Sequence, residues 1–226
     1  MAEPGPGGSV RIERFGEAAL LVVLGDAVDP AVNARVHRLA AGLGSLAGKE
    51  NGLRAPVPAY ASLLVPFDPL MIDESAVRDA IAVALQSAEG PAREPVLDVV
   101  AHVPVRYGGE DGPDLAEVAA RTGCSPADVV RLHADVEYRV FCLGFVPGFP
   151  YLGLVPEQLA LPRRATPRLH VPAGSVAIAG RQTGIYPTDT PGGWHLIGRT
   201  DLTLWDPRRD PPSLLEPGSR VRFVPV

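Results

Sequence analysis

The sequence has almost no cysteine: Cys124 and Cys142 are the only two in 226 residues. Two thiols cannot staple a chain of this size, which excludes a secreted disulfide scaffold. Cys142 lies among Val140, Phe141 and Leu143 with no activating neighbour, so a buried, inert thiol is expected. Surplus positive charge is also lacking. The formal net charge is −5, which argues against holding nucleic acid or an anionic membrane by bulk electrostatics. A local basic patch is still open, and Arg163, Arg164 and Arg168 form one candidate. No run of about 18 apolar residues is present, so no membrane-spanning helix is expected. The Gly/Pro-rich stretch 1–8 has no apolar core after a basic start and reads as a flexible tail, not a signal peptide. A cytoplasmic protein is the expectation.

Familiar site motifs are missing too. There is no phosphate-cradling G-x-x-x-x-G-K-[ST] loop, no dinucleotide fingerprint after a strand, no H-E-x-x-H and no paired C-x-x-C. The five histidines, His37, His102, His133, His170 and His195, are scattered, and no metal site is expected. No G-x-S-x-G elbow occurs; Ser175 sits in PAGSVAIAG, which has no strand-to-helix context.

Proline (25) and glycine (24) are plentiful and concentrate towards the C-terminal side, which suggests two regions built differently. In residues 9–86, Val10, Ile12 and Phe15 suggest a strand and Ala18 to Leu24 a buried strand. Pro30 opens a helix, and Val32, Val36, Leu39, Leu43 and Leu46 follow on one face. Ser62 to Phe67 reads as a strand. Asp73 caps a second helix with Val77, Ile81 and Leu85 on its apolar face. These make a small α+β sandwich with helices on one side of a sheet. Residues 87–95 (SAEGPAREP) read as a linker. From 96 to 226, Leu97–Val105 reads as a strand. Two short helices follow, the first ending at Gly123 and the second starting at Ser125-Pro126-x-Asp128, a capping-box pattern. The pair looks like a helix-turn-helix, but Asp128, Asp135 and a single Arg131 are poor chemistry for DNA, so a plain capped turn is the reading. Short apolar runs at 175–179, 183–186, 195–197, 202–205 and 221–224, separated by Gly and Pro, indicate a barrel or sandwich.

Four segments concentrate special backbone residues beside aromatic and polar ones: LGFVPGFPYLG (143–153), PRRATPR (162–168), VPAGSVAIAGRQTGIYP (171–187) and TPGGWHLIGRT (190–200). Glycine permits close backbone approach and proline fixes φ, so rigid loops with exposed amides are expected. Phe145, Phe149, Tyr151 and Trp194 suit apolar walls. Arg164, Arg168, Gln182, Tyr186, His195 and Arg199 suit hydrogen bonds to a polar ligand. The same composition also serves a barrel whose turns merely reverse the chain and whose aromatics fill its interior. Both readings stay open on composition alone.

These segments resemble the allophanate hydrolase subunit 1 family, also called the KipI family or the B-subunit family of 5-oxoprolinase. FGEAALLVVLG (15–25), VNARVHRLAAGL (32–43), PAYASLLVPFDP (58–69), VPVRYGGEDGPDLAEVA (103–119) and PPSLLEPGSRVRFVPV (211–226) carry the resemblance over nearly the whole chain. Asp201 departs from it, standing where proline follows GRT. His195 falls where the family varies, often to glutamine, and is discounted as an obligatory base.

The resemblance implies an N-terminal α+β domain and a C-terminal cyclophilin-like β-barrel. It implies a partner, the homologous allophanate hydrolase subunit 2 (KipA, or the C-subunit of 5-oxoprolinase), and in many bacteria a third LamB/YcsF-type protein. The implied activity is opening of 5-oxoproline to glutamate with ATP as co-substrate, by an assembly whose members are inactive singly. Allophanate hydrolysis and KipI-type inhibition of a sensor histidine kinase are the alternatives. For the lactam chemistry, donors aimed at developing charge are needed. Arg168, Arg199 and Gln182, with backbone amides near Gly148 or Gly193, are the expected donors, since the arginine fork suits carboxylate and phosphate. No general base is assigned in this chain.

Overall fold

The computed structural model describes residues 10–48, 50–88 and 100–226. The expected tail at 1–8, residues 89–95 of the expected linker and residues 97–99 of the expected strand after it lie outside the described residues. The chain divides into two compact units, residues 1–96 and 97–226.

The first unit is a sheet with two helices. β1 (Arg11–Arg14), β2 (Ala19–Val23), β3 (Val57–Pro58) and β4 (Ser62–Pro66) form an antiparallel sheet in the order β1-β2-β4-β3. α1 (Pro30–Gly44) and α2 (Glu74–Ala88) supply the other layer. Asp29 starts α1: its carboxylate accepts the N–H groups of Ala31 and Val32 at 2.7 and 3.0 Å, satisfying donors with no partner inside the helix. Val36, Leu39 and Leu43 of α1 and Val77 and Ile81 of α2 close over Leu20, Val22, Leu63 and Val65, as their spacing predicts. Leu46 does not join them. The helix ends at Gly44, and Leu46 lies in the following turn, about half exposed. α2 runs through Ala88, so Ser87 and Ala88 of the expected linker are helical.

The second unit is a closed barrel. Its strands are β5 (Val100–Tyr107), β6 (Glu137–Leu143), β7 (Pro150–Gly153), β9 (Ser175–Ala179), β10 (Gln182–Ile185), β12 (His195–Arg199) and β13 (Arg220–Pro225). They close in the order β10-β7-β6-β13-β5-β12-β9. Among the described residues only β13 and β5 pair in parallel, Val221 opposite Ala101 and Phe223 opposite Val103. Closure leaves the barrel without a free edge. β8 (Arg168–Val171) and β11 (Thr190–Gly192) form a separate two-stranded ribbon. The run 202–205, read as a strand, makes only an isolated bridge between Trp205 and Ser213. Pro211 and Pro212, just before Ser213, have no N–H to extend a ladder.

α3 (Leu115–Thr122) and α4 (Pro126–Ala134) are the capped pair. Gly123 ends α3 in the left-handed conformation, and Ser125 and Asp128 exchange capping-box bonds. α4 delivers His133 into the barrel core beside Tyr138 and Phe223, wholly buried. Its Nδ1 meets the Tyr107 hydroxyl at 2.7 Å and its Nε2 meets Thr183 Oγ1 at 2.8 Å. Thr183 donates to the Ala177 carbonyl at 3.0 Å, so it is free to accept from Nε2–H, and Tyr107 donates to Nδ1. Each buried polar atom on that path is satisfied, as a low-dielectric core requires.

β9 shows how the barrel positions a site. All five of its residues are buried. Val176 and Ile178 face the barrel core, while Ala177 and Ala179 belong to a second cluster with Phe149, Val171, Tyr186, Trp194 and Leu196. Alternate residues of a strand point to opposite faces, so this one strand floors two cores. The second, outer cluster is the base of a cleft.

Candidate binding cleft

The cleft is lined by Phe145, Phe149, Tyr151, Arg163, Pro167, Tyr186, Pro191, Gly192, Gly193 and Trp194, and encloses about 210 Å³. Five aromatic rings build it. Phe149 is central, packing edge-to-face on Tyr151 (4.9 Å between centroids), Tyr186 (5.1 Å), Phe145 (5.6 Å) and Trp194 (5.6 Å). Such pairs contribute about 0.5–1.5 kcal/mol each beyond burial, which makes the cleft rigid. Phe145 is the most exposed of the five rings, at 58%, whereas Tyr151 is half-buried and the other three are buried; Phe145 is also the one described non-glycine residue with positive φ, 66°. The Val146 N–H bonds the Gly144 carbonyl at 2.7 Å across it, a γ-turn of the strained kind. The turn stands the Phe145 ring at the cleft's edge. Gly192 is required where it is: a Cβ there would lie 2.4 Å from the Tyr186 hydroxyl.

The electrostatics are simple. Burial raises the Tyr186 and Tyr151 hydroxyls above their ordinary value; a Trp194 backbone N–H and Arg163 only partly oppose this. Both phenols are neutral donors at neutral pH. Arg163 is the single formal charge among the described lining residues. It reaches the cleft because its neighbour does not: Arg164 turns to Asp114 at 2.9 Å while its backbone N–H holds the Gly193 carbonyl at 2.8 Å. Neither an imidazole nor a carboxylate is among the described lining residues.

Six of the residues read from sequence meet here: Phe145, Phe149, Tyr151, Tyr186, Gly193 and Trp194. The others do not. Arg168 grips the buried Asp114 with both terminal nitrogens, so this fork and Arg164 clamp the 162–168 segment to the start of α3. Arg199 lies in a different depression with Thr200 and Asp201, its Nε donating to the Ala173 carbonyl at 3.0 Å. His195 is fully buried, with Nε2 on the Pro162 carbonyl at 2.9 Å. Gln182 begins β10 opposite Gly153 and Ala179. Gly148 packs against Trp205: an added Cβ would sit 2.5 Å from the Trp205 Cβ. The expected trio of donors, Arg168, Arg199 and Gln182, therefore does not converge. The sequence does not single out Pro167, Pro191 and Gly192, and it shows Arg163 only as part of a candidate basic patch with Arg164 and Arg168. Residue type alone does not say which of two adjacent arginines lines the cleft.

Asp201 also finds its explanation. It accepts both terminal nitrogens of Arg106 at 2.6 and 3.0 Å, a bidentate surface pair that a proline could not make. Cys142 is buried, and burial pushes its thiol up to about 12. Among the described residues no cluster of three or more His, Cys, Asp or Glu side chains is placed to hold a metal, and no helix is long and apolar enough to cross a membrane.

The second unit is thus a closed barrel that carries an aromatic cleft with one arginine among its described lining residues. The family model described as "Carboxyltransferase domain, subdomain C and D" matches residues 10–215, and the chain belongs to that family. It is 51% identical to the 5-oxoprolinase B-subunit of Escherichia coli O157:H7 over 93% of this chain and 94% of that one. It is 39% identical to the 5-oxoprolinase B-subunit of Bacillus subtilis over 96% and 92% of the two. Among solved structures it resembles TTHA0988 at 39% identity and a TM-score of 0.81; the match covers 96% of this chain but 41% of that protein. The resemblance read from the sequence motifs, and the α+β fold with a closed barrel that it implied, are both found.

Proposed function

We propose that the chain is one component of an ATP-dependent 5-oxoprolinase that opens 5-oxo-L-proline to L-glutamate together with a homologous barrel protein. The observation that carries this reading is the 51% identity to the E. coli O157:H7 5-oxoprolinase B-subunit along nearly its full length. The cleft supports it, because its flat aromatic walls and small volume suit a single lactam ring.

A lactam is resonance-stabilised and opens slowly unaided. Transfer of a phosphoryl group from ATP to the amide oxygen makes the ring carbon electrophilic, and water adds to it. The ring C–N bond then breaks with a proton passing to nitrogen, and a second water releases phosphate from the acyl phosphate. In this scheme the cleft of this chain holds and orients the ring, which lowers the entropic part of the barrier. The general base and the triphosphate site are assigned to the partners, a KipA-type barrel protein and a LamB/YcsF-type protein, because the cleft offers neither a base nor a phosphate cradle.

The test is co-expression with the KipA-type partner and the LamB/YcsF-type protein, followed by purification and an ATPase assay. Co-purification and ATP hydrolysis that requires 5-oxoproline support the proposal. Turnover of allophanate but not 5-oxoproline would reassign the assembly to allophanate hydrolysis. Inhibition of histidine-kinase autophosphorylation, with neither amide turned over, would make the chain a regulator.

A further inference from the structure

We infer that Arg163 makes the aromatic cleft a receptor for small planar rings bearing a single carboxylate, and that this chain binds them without its partners. The inference deepens the proposed function, on which it rests for the identity of the ring, by naming the substrate group and its anchor; the site itself rests on geometry alone.

Three observations carry it. The first is charge. Five aromatic faces alone would suit a cation, since rings attract positive charge. Here, however, the one charged lining residue is itself a cation and no carboxylate is among the described lining residues, so an anionic ligand is selected and a cationic one repelled. The second is availability. Arg163 is exposed and makes no hydrogen bond or ion pair with the described residues. The adjacent Arg164 and Arg168 are both engaged by Asp114, at 2.9 Å for Arg164 and at 2.8 and 2.7 Å for Arg168. The clamp thus removes two of the three clustered cations from competition and leaves the third beside the rings. A planar guanidinium fork recognises a carboxylate bidentately. The third is size. At about 210 Å³ the cleft is smaller than the roughly 300–1,000 Å³ of drug-sized ligand sites. That leaves room for one substituted ring and not for a nucleotide. A triphosphate would also need more than one cation or a nest of N–H groups. The neutral Tyr186 hydroxyl accepts the Trp194 backbone N–H and keeps its own proton to donate to a ring carbonyl.

The test is calorimetric titration of the full chain, alone, with 5-oxo-L-proline and with its carboxamide, for the wild type, Arg163→Gln and Arg163→Lys. The wild type is expected to bind the acid about tenfold more tightly than the amide, a difference of about 1.4 kcal/mol. Arg163→Gln is expected to bring the acid down to the amide's affinity without changing the amide's. Arg163→Lys should recover part of the loss. Equal acid affinity in the wild type and Arg163→Gln, or no binding of any carboxylate to the chain, overturns the inference. Pyrrole-2-carboxylate separates this inference from the proposed function. If it binds in an Arg163-dependent way while 5-oxoproline does not, the site stands and the 5-oxoprolinase reading falls. If the assembled enzyme turns over 5-oxoproline with an unchanged KM in Arg163→Gln, the activity stands and the anchor falls.

Discussion

Arg168 holds Asp114 through both terminal guanidinium nitrogens, at 2.8 and 2.7 Å, while the same carboxylate accepts the backbone N–H of Leu196 at 2.7 Å. One side chain therefore ties the 162–168 segment, the start of α3 and strand β12 together. The Asp114 side chain is only 5% exposed, so a lost partner leaves a charge stranded away from water. Asp114→Asn is expected to lower stability by about 2 kcal/mol or more, read from urea unfolding, and to weaken ligand binding through displacement of Arg163. Arg164→Ala, which removes one contact, should cost less.

The same pair sets a pH dependence. Burial raises the Asp114 carboxyl, but the bonds from Arg168 and Leu196 and the charge of Arg164 outweigh it, so the net shift is downward from 3.8. A depressed folded value means the contribution is complete above 3.8 and is lost as pH falls from there through the folded value. Asp114→Asn should remove that part of the acid transition, measured by unfolding at a series of low pH values.

His133 acts in a higher window. Burial pushes its imidazole down from 6.5 to about 3, so between those values the unfolded chain takes up a proton that the folded chain refuses. Stability is therefore full above 6.5 and falls as pH drops below it, by at most about 1.4 kcal/mol per unit. His133→Gln, which keeps a donor and an acceptor but cannot titrate, should be less stable near neutrality and show a flatter slope. An unaltered slope would remove His133 as its source.

Gly148, an expected source of an amide for substrate, instead has φ +79° and turns its Cα towards Trp205. Gly148→Ala should lower stability by about 1–3 kcal/mol, from backbone strain and overpacking together, measured by thermal unfolding. Arg199→Ala, in its separate depression, should leave 5-oxoproline affinity unchanged by calorimetry.

The fold was far more legible in the sequence than the site. Periodicity placed α1 and α2 and their buried faces, and Pro30, Gly123 and Ser125-Pro126-x-Asp128 marked helix ends through local chemistry that needs no tertiary context; the Asp29 cap emerged only in the structure. The exceptions were places where long-range partners decide. Trp205 has strand-like neighbours but makes only an isolated bridge to Ser213, which follows Pro211-Pro212. Leu46 matches the helical spacing but falls beyond Gly44. For the site, the aromatic residues stand out by their density among Gly and Pro, but filling of the barrel explains that density equally well, and Phe149, Tyr186 and Trp194 do both: they are buried and they line the cleft. The arginines were not legible: Arg163, Arg164, Arg168 and Arg199 are chemically identical, and only the position of Asp114, about fifty residues earlier, determines which of the first three remains available. His195 shows the same limit, since nothing local reveals that the Pro162 carbonyl holds its Nε2.

Chemical-shift mapping of the labelled chain, titrated with 5-oxo-L-proline, tests most directly whether the substrate ring sits in the aromatic cleft. Saturable shifts are predicted at the Gly192, Gly193 and Trp194 amides, at the Trp194 indole N–H and at the Arg163 side chain. Shifts gathered instead around Ala173 and Arg199–Thr203, or none at saturating ligand, would contradict that placement.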